Sequence, residues 1–259
     1  MLRARALAPR RPHLFQSAGE TALASVLRRG PLLAFDFDGT LAPIVARPTQ
    51  ARVSRCVSGK LQRLSELLPI AIVTGRSVED VRGRLQFDPQ FILGNHGAEL
   101  GGEARPAREL DPVRREAQRR AGELAAAGIG LEDKGLSLAL HYRLSRRPDH
   151  ALDLIQDLLA TAGAACRAFP GKMVINIVPQ GAPDKGTAML RLVAECGAPC
   201  AVFVGDDVND EPVFACAPDD WLTVRVGRED PETRANFFLD SAAEVGMLLD
   251  RMLVHLGDH

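Results

Sequence analysis

Five short apolar runs break off abruptly into polar residues: PLLAFDFD at 31–38, PIAIVTG at 69–75, FILGN at 91–95, CAVFVGDD at 200–207 and LTVRVG at 222–227. Each is continuous instead of alternating, the pattern of strands covered on both faces. Between them lie segments with helical spacing. Val53, Val57, Leu61, Leu64 and Leu68 share one stripe of residues 53–68. Ser77-Val-Glu-Asp80 has the form of a capping box opening a helix over 78–85, and a further helix is predicted over 186–196. Strands alternating with helices predict an α/β fold, a Rossmann-like parallel sheet with helices on both sides.

The rhythm breaks in the middle of the chain. After Gly101-Gly102 comes a charged helical stretch, 111–127, then a strand at 137–143, a helix from about 149 to 162, and strands at 166–169 and 173–178. Helix–strand–helix–strand–strand reads as a small α+β unit, residues 106–179, inserted into a larger domain built from 17–105 and 180–259. Gly and Pro punctuate both joins. Residues 1–16 are arginine-rich, and no acid precedes Glu20, so a loose basic extension is expected there.

Composition narrows the function. Lys plus Arg total 32 against 33 Asp plus Glu, and aromatics are 5% of the chain. Neither a basic face nor a base-stacking surface follows, so no nucleic-acid partner is expected. No apolar run approaches the roughly 20 residues of a membrane span. Cys56, Cys166, Cys196, Cys200 and Cys216 form no C-x-x-C pair and complete no zinc pattern, as for buried thiols in a reducing compartment. A cytoplasmic protein, monomeric or weakly dimeric and free of membrane contact, is the expectation.

The chemistry concentrates at strand ends. Asp36-Phe-Asp38-Gly-Thr40 places two carboxylates directly after an apolar run, where an open α/β sheet binds its ligands. Were the chain to stay extended, both would share a face. Gly39 permits a turn that brings backbone N–H groups toward an anion. A second acidic knot, Gly205-Asp206-Asp207-Val-Asn-Asp210-Glu211, follows another apolar run. A helix N-terminus accounts for one or two of these acids, not four. If the two strands are neighbours, their carboxylates need a counter-cation. An all-oxygen set favours a hard ion, with Mg2+ the natural choice. Asp36, Asp38, Asp206, Asp207 and Asp210 are the candidate ligands. Thr74-Gly75-Arg76-Ser77 brings a hydroxyl and backbone donors to a helix start, with Ser77 suited to the N-cap. Lys185 opens a helix, an unfavourable place for a cation unless an anion compensates it.

Taken in order, these four pieces resemble the signature of the haloacid dehalogenase-like (HAD) phosphatases from about residue 30 onward. That resemblance implies Asp36 as nucleophile, Asp38 as general acid and base, and Thr74 as a phosphoryl ligand. It also implies that Lys185 steadies nucleophile and phosphate. Asp206 becomes a Mg2+ ligand, Asp210 a further ligand or anchor, and the backbone carbonyl of Asp38 another. The inserted unit is similar to the family's C2-type cap, which carries substrate specificity.

Within that superfamily the strings Gly94-Asn-His96-Gly97-Ala-Glu99, Leu131-Glu132-Asp-Lys134-Gly135, Ala139-Leu-His141-Tyr142-Arg143 and Gly171-Lys172-Met-Val-Ile-Asn176 resemble those of trehalose-6-phosphate phosphatases. The resemblance implies a phospho-aspartate route from trehalose 6-phosphate to trehalose and inorganic phosphate. Gly75, Arg76, His96, Gly97, Glu99, Glu132, Lys134, Arg143 and Asn176 are its candidate substrate contacts. The chain departs from the pattern at Asn176, where Glu is expected, and at Val178, where a basic residue is expected. The alternatives are a phosphatase or mutase for another sugar phosphate (sucrose phosphate, mannosyl-phosphoglycerate, mannose phosphate) and a sensor without catalysis. The sensor conflicts with the presence of Asp36, Asp38, Lys185 and Asp206 together.

Overall fold

The five apolar runs become parallel strands of one sheet. The structure, a computed structural model, describes residues 11–45, 48–100, 105–161, 163–228 and 232–257. Its helices are α1 (Ser17–Leu27), α2 (Arg55–Leu67), α3 (Val78–Leu85), α4 (Asp111–Arg119), α5 (Ala121–Ala126), α6 (Pro148–Ala160), α7 (Lys185–Cys196), α8 (Glu211–Cys216) and α9 (Ala242–His255). Its strands are β1 (Leu32–Asp36), β2 (Ile70–Val73), β3 (Phe91–Gly94), β4 (Glu99–Leu100), β5 (Gly130–Asp133), β6 (Leu138–His141), β7 (Cys166–Gly171), β8 (Val174–Pro179), β9 (Ala201–Gly205), β10 (Leu222–Val226) and β11 (Phe237–Leu239). Among the described residues no helix is long and apolar enough to cross a membrane.

The chain divides into two compact units. The first comprises Met1–Leu100, Asp184–Asp206 and Asp210–His259, the second Gly101–Pro183 and Asp207–Asn209. The expected joins stood at 105/106 and 179/180, a few residues inside these.

In the first unit a seven-stranded sheet runs β11-β10-β9-β1-β2-β3-β4, parallel except for the antiparallel edge strand β4. Strands β1, β2 and β9 are buried at every position, as their uninterrupted apolar runs require. Helices supply the cover: Leu61 and Leu64 of α2, Met189 and Leu192 of α7, and Leu248, Leu249 and Met252 of α9 join Phe35, Ile72 and Phe203 in one core. Central β1 pairs with β9 on one side and β2 on the other. Register sets Asp36 opposite Val73, so the turns following β1, β2 and β9 emerge at one end of the sheet.

The loose basic extension expected over residues 1–16 does not describe Pro12 to Leu14. Residues 1–10 lie outside the described residues, but Pro12 to Leu14 run along β11, exchanging backbone hydrogen bonds with Phe238. Leu14 is fully buried. His13 accepts from the Phe15 N–H through Nδ1, which leaves Nε2–H to donate to Glu244, 3.0 Å away.

The second unit is an antiparallel sheet, β5-β6-β8-β7. One face is apolar: Leu138, Leu140 and Ile177 pack with Val113 of α4 and Leu154 and Leu158 of α6. The single helix expected over 111–127 is two, α4 and α5, divided at Arg120, whose ψ of 15° leaves the helical range. The helix expected to 162 ends at Ala160, and residue 162 lies outside the described residues. Strand β5 was not expected. It is an edge strand with three of its four residues exposed, so it carries no apolar run. The predicted helix–strand–helix–strand–strand order therefore gains a strand before β6.

Candidate active site

Lys185 resolves the oddity of its own position. It is the first residue of α7, whose N-cap Asp184 accepts the Thr187 N–H at 2.8 Å. Its side chain is buried, and Nζ donates to Asp36 Oδ1 at 2.6 Å and to Asp210 Oδ1 at 2.7 Å. Those two carboxylates are the compensating anions. Asp210 is anchored in turn by its Oδ2, which accepts the Asp206 N–H at 2.9 Å. Asp36, Asp206 and Asp210 are all buried, and each offers an oxygen within 4.8 Å of the others.

Two carboxylates pair with one lysine and a third lies beside them, an excess of negative charge that a divalent ion would balance. Burial pushes the Asp36 carboxyl well up, and Asp210 and Asp206 push it further, against the opposing pull of Lys185. Burial would lower Lys185, but Asp210 and Asp36 more than offset this and hold it above its ordinary value. Gly39, at φ +90°, lies so close to Asp206 that any side chain there would overlap the carboxylate. The buried Thr40 hydroxyl on the same turn has no protein hydrogen-bond partner. An all-oxygen, buried, over-acidic cluster of this kind fits a hard divalent cation.

Asp38 and Asp207 do not join that cluster. The chain leaves the extended conformation after Asp36, and the Gly39 turn carries the Asp38 side chain to Arg76. Arg76 Nε and Nη2 grip its two oxygens, each at 2.7 Å. Asp207 Oδ2 accepts from Asn209 at 3.1 Å, within the residues that group with the second unit.

Arg76, expected at the substrate, is instead committed to carboxylates. Its Nη1 donates to Asp80 Oδ2 at 2.8 Å, and its guanidinium stands 5.3 Å from the centre of the Phe37 ring. Burial works against its charge, but Asp38 and Asp80 hold its pKa above the ordinary arginine value. Ser77 caps α3 as expected, accepting the Asp80 N–H at 3.2 Å. Asp80 does not complete the capping box, because its carboxylate pairs with Arg76 and Arg84. Sequence reading saw Asp80 only as a cap. The Arg76, Asp80, Arg84 spacing of four was the signal that could have revealed the chain of ion pairs.

Thr74 is buried at the end of β2, and its Oγ1 accepts the Arg76 N–H at 3.1 Å. The loop after β3 is locked onto it: His96 N–H donates to Thr74 O at 3.0 Å and Asn95 N–H to Arg76 O at 2.7 Å. Asn95 and His96 both take left-handed backbone angles, φ 49° and 58°, a strained pair that those bonds hold in place. The His96 ring lies against Gly75, where no side chain fits, and Gly97 abuts the start of α7. Glu99 serves the scaffold. Its Oε2 accepts from the Val78 N–H at 3.0 Å, at the N-terminus of α3, and from Asn95 Nδ2 at 2.7 Å.

The remaining candidates lie in the second unit. Cross-strand register puts Glu132, Ala139, Asn176 and Phe169 in one row across β5, β6, β8 and β7. Side chains alternate along strands, so this row occupies the face opposite Leu138, Leu140 and Ile177. Glu132 Oε2 lies 2.8 Å from His141 Nε2 and 3.8 Å from Lys134 Nζ. Asn176 is buried. Arg143 stands apart from the row and donates to the carbonyl of Lys172 at 3.2 Å. His141 was not singled out, and its position opposite Gly130 at the end of β6 became legible only once β5 was recognised.

The profile of the trehalose-phosphatase family matches residues 34–240. A trehalose-phosphate phosphatase of Mycobacterium tuberculosis is 31% identical over 251 residues, covering 88% of this chain and 62% of that protein. An uncharacterized glycosyl hydrolase of the same species is 32% identical over 207 residues, 72% of this chain and 15% of that protein. The chain thus spans about three fifths of the first relative's length and a small part of the second's. Among solved structures, a trehalose-6-phosphate phosphatase related protein aligns with TM-score 0.71 and 27% identity over 86% of this chain and 98% of the other. The C-terminal domain of the Candida albicans trehalose-6-phosphate phosphatase shares the fold, with TM-score 0.77 and 21% identity over 95% of this chain and 98% of that domain.

Proposed function

The chain belongs to the trehalose-phosphatase family, and from that premise we propose that it hydrolyses trehalose 6-phosphate to trehalose and inorganic phosphate through a phosphorylated Asp36. The observation that carries the reading is the buried constellation at the end of the parallel sheet. Asp36 holds Lys185, Asp210 shares that lysine, and Asp206 completes an acidic set.

An oxygen of Asp36 attacks phosphorus while the bond from phosphorus to the sugar oxygen breaks. Asp38 delivers its proton to that departing oxygen, then takes a proton from the water that attacks the phosphoryl group on Asp36. Phosphate leaves and Asp36 is restored. Lys185 holds one Asp36 oxygen, which orients the carboxylate and limits the repulsion between it and the incoming dianion. A Mg2+ ion bound to Asp36, Asp206 and Asp210 would supply the remaining charge compensation. Thr74 offers its hydroxyl as a donor for a phosphoryl oxygen.

Selectivity for the sugar falls to the polar side chains of the second unit. Glu132, Lys134, His141 and Asn176 provide charged and polar groups suited to a disaccharide rich in hydroxyls. Asn176 accepts and donates as a neutral amide, where a Glu would only accept. The purified chain with Mg2+, assayed for phosphate release from trehalose 6-phosphate, sucrose 6-phosphate, mannose 6-phosphate and glucose 6-phosphate, tests the proposal. Preference for trehalose 6-phosphate by about tenfold or more supports it. Preference for another member reassigns the substrate, and no release from any of them refutes the reaction.

A further inference from the structure

We propose that Asp80 is a positioning residue for the reaction: through Arg76 it fixes the direction in which the Asp38 carboxyl points. The inference rests on the phosphatase reading above and extends it outward from Asp38 by two side chains.

The geometry is an unbroken series of ion pairs within the first unit. Asp38, the proposed proton donor, is half-exposed at 43% and sits on a turn. Nothing in such a place fixes a short carboxylate by packing. What fixes it is the fork of Arg76, Nε to Oδ2 and Nη2 to Oδ1, both at 2.7 Å. A planar guanidinium held at two points transmits direction, which a lysine ammonium does not. Arg76 is 8% exposed and stands on the Phe37 ring, so its plane is constrained from one side. Its remaining edge is set by Asp80, through Nη1 to Oδ2 at 2.8 Å.

Asp80 is held firmly itself. Arg84 donates to both of its oxygens, from Nε at 3.0 Å and from Nη2 at 2.5 Å. Arg84 is in turn tied to the backbone by Nη1, which donates to the carbonyls of Thr49 at 2.7 Å and Ala51 at 3.1 Å. A solvated first-turn acid that merely complements the helix dipole would need none of this. The Asp80 carboxylate is the joint between a backbone-anchored arginine and the arginine that aims Asp38.

The aim matters for one bond only. A sugar oxygen leaves poorly without a proton, whereas p-nitrophenolate departs as the anion. The quantity kcat/KM reports steps up to departure of the leaving group, so comparing it for the two phosphates isolates proton delivery. In Asp80→Asn, kcat/KM for the best sugar phosphate should fall about tenfold while that for p-nitrophenyl phosphate falls less than about threefold. Arg76→Lys, which keeps the charge and loses the fork, should split the two substrates further. Circular dichroism and melting curves establish that both variants are folded. Equal losses on both substrates in both variants, or no loss on the sugar phosphate, would overturn the inference and leave the phosphatase reading standing. A wild type that turns over neither phosphate would instead remove that reading and the inference with it.

Discussion

The two sheets differ in how deeply they place their charges. In the seven-stranded parallel sheet both faces are covered, so polar groups collect where strands end. The charges found there are deeply buried: the side chains of Lys185, Asp36 and Asp210 are 1%, 7% and 0% exposed. In the four-stranded antiparallel sheet helices pack on one face, and the other carries polar side chains beside the small buried Ala139. The ionisable groups on that second face are partly exposed, with Glu132 at 42% and His141 at 34%. Buried charges interact strongly and tolerate no loss of a partner, whereas exposed ones are screened and adjustable. On the proposed function, the phosphoryl chemistry falls to the deeply buried charges and sugar recognition to the partly exposed ones.

That contrast can be broken at four points of decreasing effect. Asp36→Asn should lower phosphate release by about a thousandfold or more, since an amide does not act as the nucleophile, and a steady-state phosphate assay reads it. Leu140→Ala removes a fully buried side chain between β6 and the helices α4 and α6. It should cost about 3 kcal/mol in denaturant unfolding. Glu132→Gln removes one of the partly exposed charges of the second unit, and KM for the sugar phosphate should rise about tenfold with kcat within about twofold. A matching fall in kcat would place Glu132 in the chemistry and dissolve the distinction between the two regions.

The smallest effect is a pH dependence of stability. Burial pushes the Asp80 carboxyl up, but Arg84 and Arg76 together outweigh it and leave its pKa below the ordinary value. A carboxylate whose folded pKa is lowered stabilises the fold above its unfolded pKa, near 3.9, and loses that contribution as pH falls through the folded value. Asp80→Asn should therefore melt below wild type at pH 7, by less than about 1 kcal/mol given its partial exposure. In thermal melts across pH the gap should close as pH falls through the lowered folded value. A gap that widens with acid would reverse the assignment.

How much was legible follows from the same contrast. Continuous apolar runs announced β1, β2, β3, β9 and β10, because a strand buried on both faces leaves no room for polar residues. Asp36 and Asp206 stand at the ends of those runs, and Lys185 opens a helix, where a cation needs a compensating anion. Strand β5 and the docking of His13 and Leu14 on β11 were not, since an exposed edge strand and a backbone pairing carry no apolar signature. The Asp38–Arg76 grip was hidden for another reason. Alternation places Asp36 and Asp38 on one face only while the chain stays extended, and the turn at Gly39 ends that condition. Glu99 read as a sugar contact because it stands in a motif, yet its hydrogen bonds serve α3 and Asn95.

The central claim is that Asp36, Asp206 and Asp210 hold one divalent ion that the phosphoryl chemistry needs. Phosphate release measured against free Mg2+ after exhaustive chelation, for wild type and Asp206→Asn, tests it most directly. The account predicts no release without metal, full recovery on adding Mg2+, and a need for at least about tenfold more Mg2+ in Asp206→Asn. Undiminished hydrolysis in the chelated wild type, or the same Mg2+ dependence in both proteins, would contradict it.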